Sequence, residues 1–197
     1  AVQAVGKIPV NFDKSGLYSL AISAHKIGGP SGIGALIIDE KTQVNPLIVG
    51  GGQEKGRRSG TENFYGIVGF GYAAKESKID LKNFKTSLLN RKLFENKLLE
   101  KVQGTKIISF DQQRLPNTSA IYHPLISAQT QLIKLDLMGF SVSAGSACSS
   151  GKIYKSHVLK AMGLDWAADN TIRVSKGWQN ENNDLDKFIE AYANITN

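Results

Sequence analysis

Cysteine is nearly absent: the 197 residues contain one, Cys148, which excludes an intrachain disulfide and fits a reducing compartment. No run reaches the roughly 18 apolar residues that a bilayer-spanning helix needs, and no basic, apolar, small-residue leader opens the chain. A soluble, cytoplasmic chain making no membrane contact is the expectation. The three histidines show no metal-ligand spacing, so His123 and His157 read as structural and no metal is assigned. Aromatic residues do not interleave with the basic ones and no nucleic-acid motif is present, which disfavours a nucleic-acid partner. Internal repeats and low-complexity tracts are also missing.

What is present suffices for a core, since 41% of the residues are hydrophobic. The net charge of +7 arises from 24 Lys and Arg against 17 Asp and Glu, with the excess between about Lys75 and Lys106. In that segment Leu81, Phe84, Leu88, Leu89, Phe94, Leu98 and Leu99 recur at helical spacing, predicting an amphipathic helix with a solvated basic face. Short apolar runs at 17–22 and 34–38 read as strands joined by the loop SAHKIGGPSGI, with a third strand near 44–49. A second glycine-rich loop, GGGQEKGRRSG at 50–60, precedes a Gly- and Ala-rich helix opened by Thr61 and Glu62, suited to close packing against a sheet. The texture changes near residue 76, where a domain boundary is expected. Beyond it the pattern predicts strands at 105–110, 118–122 and 171–175. Helices are expected at 127–138, after the Gly/Ser-rich loop 143–151, and from about 183. Such alternation indicates α/β or α+β architecture.

Several side chains could carry chemistry. Lys26, just past a strand end and beside glycine turns, could offer a desolvated amine to a carbonyl, although a lone loop lysine is ordinarily a solvated charge. Ser23 and His25, with the N–H groups freed by the turn, could hold an anion such as a phosphate. Arg57 and Arg58, before Ser59-Gly60-Thr61 at a helix start, suit a phosphate as well. Free cysteines are usually buried and inert, but Cys148 lies in SAGSACSSG, whose small neighbours cannot wall off a thiol. Arg173, in TIRVS, is either a bidentate carboxylate clamp or a plain surface residue.

Taken in order, AVQAVGKIPV, SAHKIGGPSGIGAL, GGGQEKGRRSGTEN, SAGSACSSG with SHVLKAMG, and TIRVS resemble the NifS/IscS-type cysteine desulfurases. These are class V aminotransferase-family enzymes that depend on pyridoxal 5'-phosphate. The resemblance implies the PLP-dependent transferase type I fold (aspartate aminotransferase-like), with residues 1–75 in the large cofactor-binding domain and 76–197 forming the small domain. Lys26 matches the lysine that forms the internal aldimine, and Ser23 and His25 match groups that hold the cofactor phosphate. Gln3 matches the glutamine bonded to the phenolic oxygen, and Thr61 a threonine reaching the neighbouring subunit's cofactor, which implies a homodimer. Cys148 matches the nucleophile that takes sulfur from L-cysteine as a persulfide, and Arg173 the arginine that binds the substrate carboxylate. An iron–sulfur scaffold is the implied sulfur acceptor.

Ala24 and Ser31 depart from a glycine and a lysine common in the family's lysine motif, and leave the turn plausible. The family's AVQAVGK usually follows an aspartate that pairs with the pyridinium nitrogen, whereas this chain opens at Ala1. The resemblance therefore implies a C-terminal half with little or no desulfurase activity alone, exposing strand edges and apolar faces. The alternatives are another class V enzyme, such as an aminotransferase or selenocysteine lyase, and a non-catalytic dimerising fragment.

Overall fold

The computed structural model describes residues 1–145, 155–177 and 179–196. It divides into two compact units, Ala1–Phe84 and Lys85–Asn197, so the division falls within the helical stretch beyond residue 76.

The first unit is built on a hairpin of β1 (Ser19–Ser23) and β2 (Gly34–Ile38), paired antiparallel from Ser19↔Ile38 to Ser23↔Gly34. Between them a single 3-10 turn, Ala24–Ile27, ends at Gly28, whose φ of 83° is the left-handed region open to glycine. Helix α1 (Phe64–Asp80) starts where Asn63 Oδ1 accepts the Gly66 N–H at 3.0 Å, which satisfies one free donor of the first turn. Gly66, Gly69, Ala73 and Ser77 form a stripe of small residues along α1 at helical spacing. The Lys26 turn lies on that stripe. A Cβ at Gly69 would come within 2.9 Å of Pro30, and one at Gly29 within 3.1 Å of Ala73. The small residues thus admit a backbone turn.

No strand forms at 44–49, contrary to the sequence pattern. A strand needs a neighbour, and Pro46 has no N–H to give one. The segment is irregular instead, bending at residues 47 and 48, with Leu47 and Val49 96% and 82% exposed and Ser59 N donating to Ile48 O at 3.1 Å.

The second unit holds an antiparallel sheet in the order β3 (Lys106–Ile107), β4 (Thr118–Tyr122), β6 (Thr171–Ser175), β5 (Ser143–Ala144). Strand β3 is shorter than its apolar run because Ser109 turns the chain at φ 57°. The unit also holds helices α2 (Phe84–Lys101), α3 (Ala128–Leu137), α4 (His157–Ala161) and α5 (Asn182–Thr196). Helix α3 is capped by Ser127, whose Oγ accepts the Thr130 N–H at 3.2 Å, and Gly139 closes it at φ 84°.

The core joins Leu98 and Phe94 of α2 to Ile107, Ile121 and Ile172 of the sheet and to Phe188 and Tyr192 of α5. Phe188 is its central contact, with ring centroids 5.8 Å from Phe94, 5.6 Å from Phe140 and 5.7 Å from Tyr192. Tyr192 is fully buried and donates to Gln131 Oε1 at 2.9 Å, while Gln131 Nε2 donates to the carbonyls of Ile126 and Asn170. Burial pushes the Tyr192 hydroxyl well above the usual phenol range, so it remains a donor.

The basic face of α2 is solvated, as its composition suggests, with Lys92, Lys97 and Lys101 exposed. Lys97 pairs with Asp186 at 2.7 Å and Lys101 with Glu190, so part of the charge of α2 meets acidic residues of α5. Arg91 turns inward and is buried. Of the apolar stripe, Phe94 and Leu98 are buried, Leu81, Leu88 and Leu99 half-buried, and Leu89 is exposed; the side chain of Phe84 lies outside the described residues.

Candidate functional site

The first unit gathers four of the residues singled out in the sequence. Ser23 ends β1 and His25 and Lys26 occupy the turn that follows, so a strand end fixes all three within four consecutive backbone positions. Ser23 Oγ and His25 Nδ1 lie 2.8 Å apart in a hydrogen bond, with His25 and Lys26 exposed. Beside them residues 1–8 fold into turns, held by Ala1 N donating to Ala21 O at 3.0 Å. Gln3 stands exposed there, its Oε1 accepting from Lys7 Nζ at 2.8 Å.

Lys7 is a residue that the sequence pattern does not single out. Its one signal is the four-residue spacing from Gln3, which brings two side chains together on any helical turn. Burial, and then the charge of Lys26, pull the Lys7 ammonium below its usual range. The Lys26 amine, a hydroxyl and an imidazole share one end of the hairpin, a donor set that suits an anion, and Lys7, whose ammonium donates to Gln3 Oε1, stands beside them.

Gly6 fixes this arrangement. Its φ is 77°, and a Cβ there would stand 3.1 Å from Ile27 Cγ2 and 3.2 Å from Ser77 Cβ. Gly6→Ala combines left-handed strain with overpacking against the Lys26 turn, and is expected to destabilise the first unit by about 2–4 kcal/mol. Denaturant melts followed through a probe in that unit check it; a loss under about 0.5 kcal/mol would show that the turn yields freely.

The second loop is folded onto Ser59, which is buried and donates from Oγ to Gly51 O at 2.9 Å. Arg57 and Arg58 are engaged with main-chain oxygens, Glu40 O at 3.2 Å and Ser59 O at 3.0 Å. Thr61 follows Gly60, whose φ is 103°, and is exposed with no side-chain hydrogen bond among the described residues.

Arg173 belongs to the second unit. It sits mid-strand on β6, opposite Ala120 of β4 and Ser143 of β5, while its neighbours Ile172 and Val174 are buried in the core. Strand alternation turns it to the other face, half-buried, where its guanidinium has no ion-pair or hydrogen-bond partner among the described residues. Cys148 lies outside the described residues. Both flanks of its segment are anchored close to Arg173 in the chain: Ala144 pairs with Ile172, and beyond the segment Lys155 bridges to Asp169 at 2.5 Å. Ser156 N also donates to Ala168 O at 3.3 Å.

The fold and site define an α/β protein that presents an amine on a strand-end turn beside a hydroxyl and an imidazole held 2.8 Å apart. A class-V aminotransferase family model matches residues 1–188, and the chain belongs to that family. It is 40% identical to a cysteine desulfurase of Gluconacetobacter diazotrophicus over 99% of this chain and 49% of that protein. It is 37% identical to cysteine desulfurase NifS of Azotobacter vinelandii, over 96% of this chain and 48% of that one. Among solved structures it resembles a NifS-like protein from Rickettsia africae with a TM-score of 0.82 and 40% identity, over 98% of this chain and 51% of that chain. The chain spans about half the length of the relatives it matches. Among the described residues no helix is long and apolar enough to cross a membrane.

Proposed function

We propose that this chain is the C-terminal half of a pyridoxal-phosphate-dependent cysteine desulfurase, with residues 1–75 from its large domain and 76–197 its small domain. The observation that carries the reading is the turn bearing Lys26, where Ser23 Oγ and His25 Nδ1 are held 2.8 Å apart. The residues present fit the cofactor. Ser23 and His25 suit its phosphate, the Gln3 amide its phenolic oxygen, and Lys26 its aldehyde. When bound, pyridoxal phosphate supplies an electron sink for the substrate's Cα.

The chain's own groups divide the remaining work. Arg173 binds the carboxylate of L-cysteine through its unpartnered fork. The Lys26 amine carries the proton that leaves Cα. The thiolate of Cys148 attacks the substrate sulfur; the substrate's C–S bond breaks as the new S–S bond forms. L-Cysteine and the thiol thus yield L-alanine and a persulfide on Cys148, with atoms and electrons balanced. The persulfide passes to an acceptor, an iron–sulfur cluster scaffold, in a reducing cytoplasm. Exposed Thr61 reaches the cofactor of a second subunit, making the enzyme a homodimer with shared sites.

The 197-residue chain by itself is inactive in this reading. Gln3, His25 and Lys26 stand in water, where charge–charge and hydrogen-bond stabilisation is weak. Tyr18, Tyr65 and Tyr72 are 84%, 86% and 67% exposed, apolar surface that the upstream half covers.

The test is a fusion that places the upstream half of the Gluconacetobacter relative before Ala1, given pyridoxal phosphate, reduced with borohydride and peptide-mapped. A phosphopyridoxyl group on Lys26, with alanine released from L-cysteine, is the expected result. A label on another lysine overturns the site, and equal turnover by the 197-residue chain overturns its dependence on the upstream half.

A further inference from the structure

Gln3 is an exposed side chain that must present its amide hydrogens, not its oxygen, if it is to bond a phenolic oxygen. An exposed glutamine samples many rotamers and both amide orientations, and fixing it costs entropy. Here one group decides the orientation. Lys7 Nζ lies 2.8 Å from Gln3 Oε1. An ammonium has three donors and no acceptor, so only the amide oxygen can face it. The Gln3 Nε2 hydrogens then point away from Lys7, and they have no partner among the described residues.

Lys7 is itself restrained. It is half-buried, and its backbone N–H donates to Ala4 O at 3.0 Å. The residue before it, Gly6, is wedged against Ile27 and Ser77. Burial and the charge of Lys26 hold the Lys7 ammonium below its usual range, which marks it as part of the same electrostatic cluster.

We propose that Lys7 is a positioning residue: it holds the Gln3 amide so that Nε2 is offered to the phenolic oxygen of bound pyridoxal phosphate. The inference rests on the reading of Gln3 given above, and two arms separate the two. In the cofactor-free 197-residue chain, the NMR order parameter of the Gln3 side-chain amide is measured in Lys7→Met and Lys7→Arg. It is expected to fall in Lys7→Met and to recover in Lys7→Arg, which keeps donors aimed at Oε1. An unchanged value in Lys7→Met overturns the role of Lys7.

The second arm uses the fusion and compares the dissociation constant of pyridoxal phosphate with that of its 3-deoxy analogue, which lacks the phenolic oxygen. Lys7→Met and Gln3→Ala are each expected to weaken the cofactor by roughly three- to tenfold, non-additively, and to leave the analogue unaffected. Gln3→Ala weakening both ligands equally, or neither, overturns the reading of Gln3. Lys7→Met still weakening the cofactor in a Gln3→Ala background shows Lys7 acting by its own charge, and overturns the positioning proposal.

Discussion

Cys148→Ser is expected to lower sulfur release from L-cysteine by roughly a thousandfold or more while leaving the borohydride-trapped cofactor on Lys26 intact. A serine hydroxyl is nearly isosteric with the thiol but is neutral at physiological pH and cannot form a persulfide. None of the groups proposed to hold the cofactor is altered by that change. The measurement pairs alanine formation with mass spectrometry of the peptide carrying residue 148, which should be about 32 Da heavier after a single turnover of the parent fusion only, as expected for one added sulfur. Undiminished alanine formation by the serine variant would instead place the chain among class V enzymes that break the C–S bond without a protein thiol. Of the flanks of the segment with Cys148, Ala144 is paired to Ile172 on the strand that carries Arg173, and Ser156 N is bonded to Ala168 O, three residues before that strand.

How legible this was in the sequence depended on the range of the interactions. Strand β2 and helix α3 lie almost where their patterns put them, because a short apolar run bounded by turn residues, a Ser127 cap and a closing Gly139 are local signals. The lysine turn was legible for the same reason: Ser23, His25 and Lys26 are neighbours in the chain. The strand expected at 44–49 failed because apolar composition says nothing about the partner that a strand requires. The solvated basic face of the helix was legible, but its acidic partners were not, because Asp186 lies far along the chain from Lys97. Lys7 could not be told from any other lysine until the fold turned it onto Gln3. The small-residue stripe on α1 was visible, yet its purpose was not; it receives the Lys26 turn.

Glu95→Ala is expected to destabilise the second unit by about 3–5 kcal/mol, a larger loss than Gly6→Ala should cause in the first. Glu95 is 1% exposed and sits on α2 at the centre of a polar cluster. Its two oxygens each accept from Arg114, through Nη1 and Nη2 at 2.9 Å, a bidentate pairing that suits the planar fork. Ser119 Oγ donates to Oε1 at 2.6 Å, and Arg91 Nε stands 3.8 Å from the same oxygen. Arg91 also donates to Leu115 O at 2.6 Å. Burial, then the Arg114 charge, lowers the Arg91 guanidinium from its usual range, while Glu95 raises it. Removing the carboxylate leaves a buried arginine and a largely buried one with no counter-charge, and removes the acceptor of a buried hydroxyl. The cluster pins α2 to the chain leading into β4, whose Ala120 lies opposite Arg173, so its loss should also loosen the strand that carries Arg173. Denaturant titration reads the effect. Because the penalty comes from stranded cations, Glu95→Leu combined with Arg114→Met should be milder than Glu95→Ala despite altering two residues. A double variant as unstable as the sum of its parts would mean that the two side chains do not couple, and would overturn the stranded-charge account.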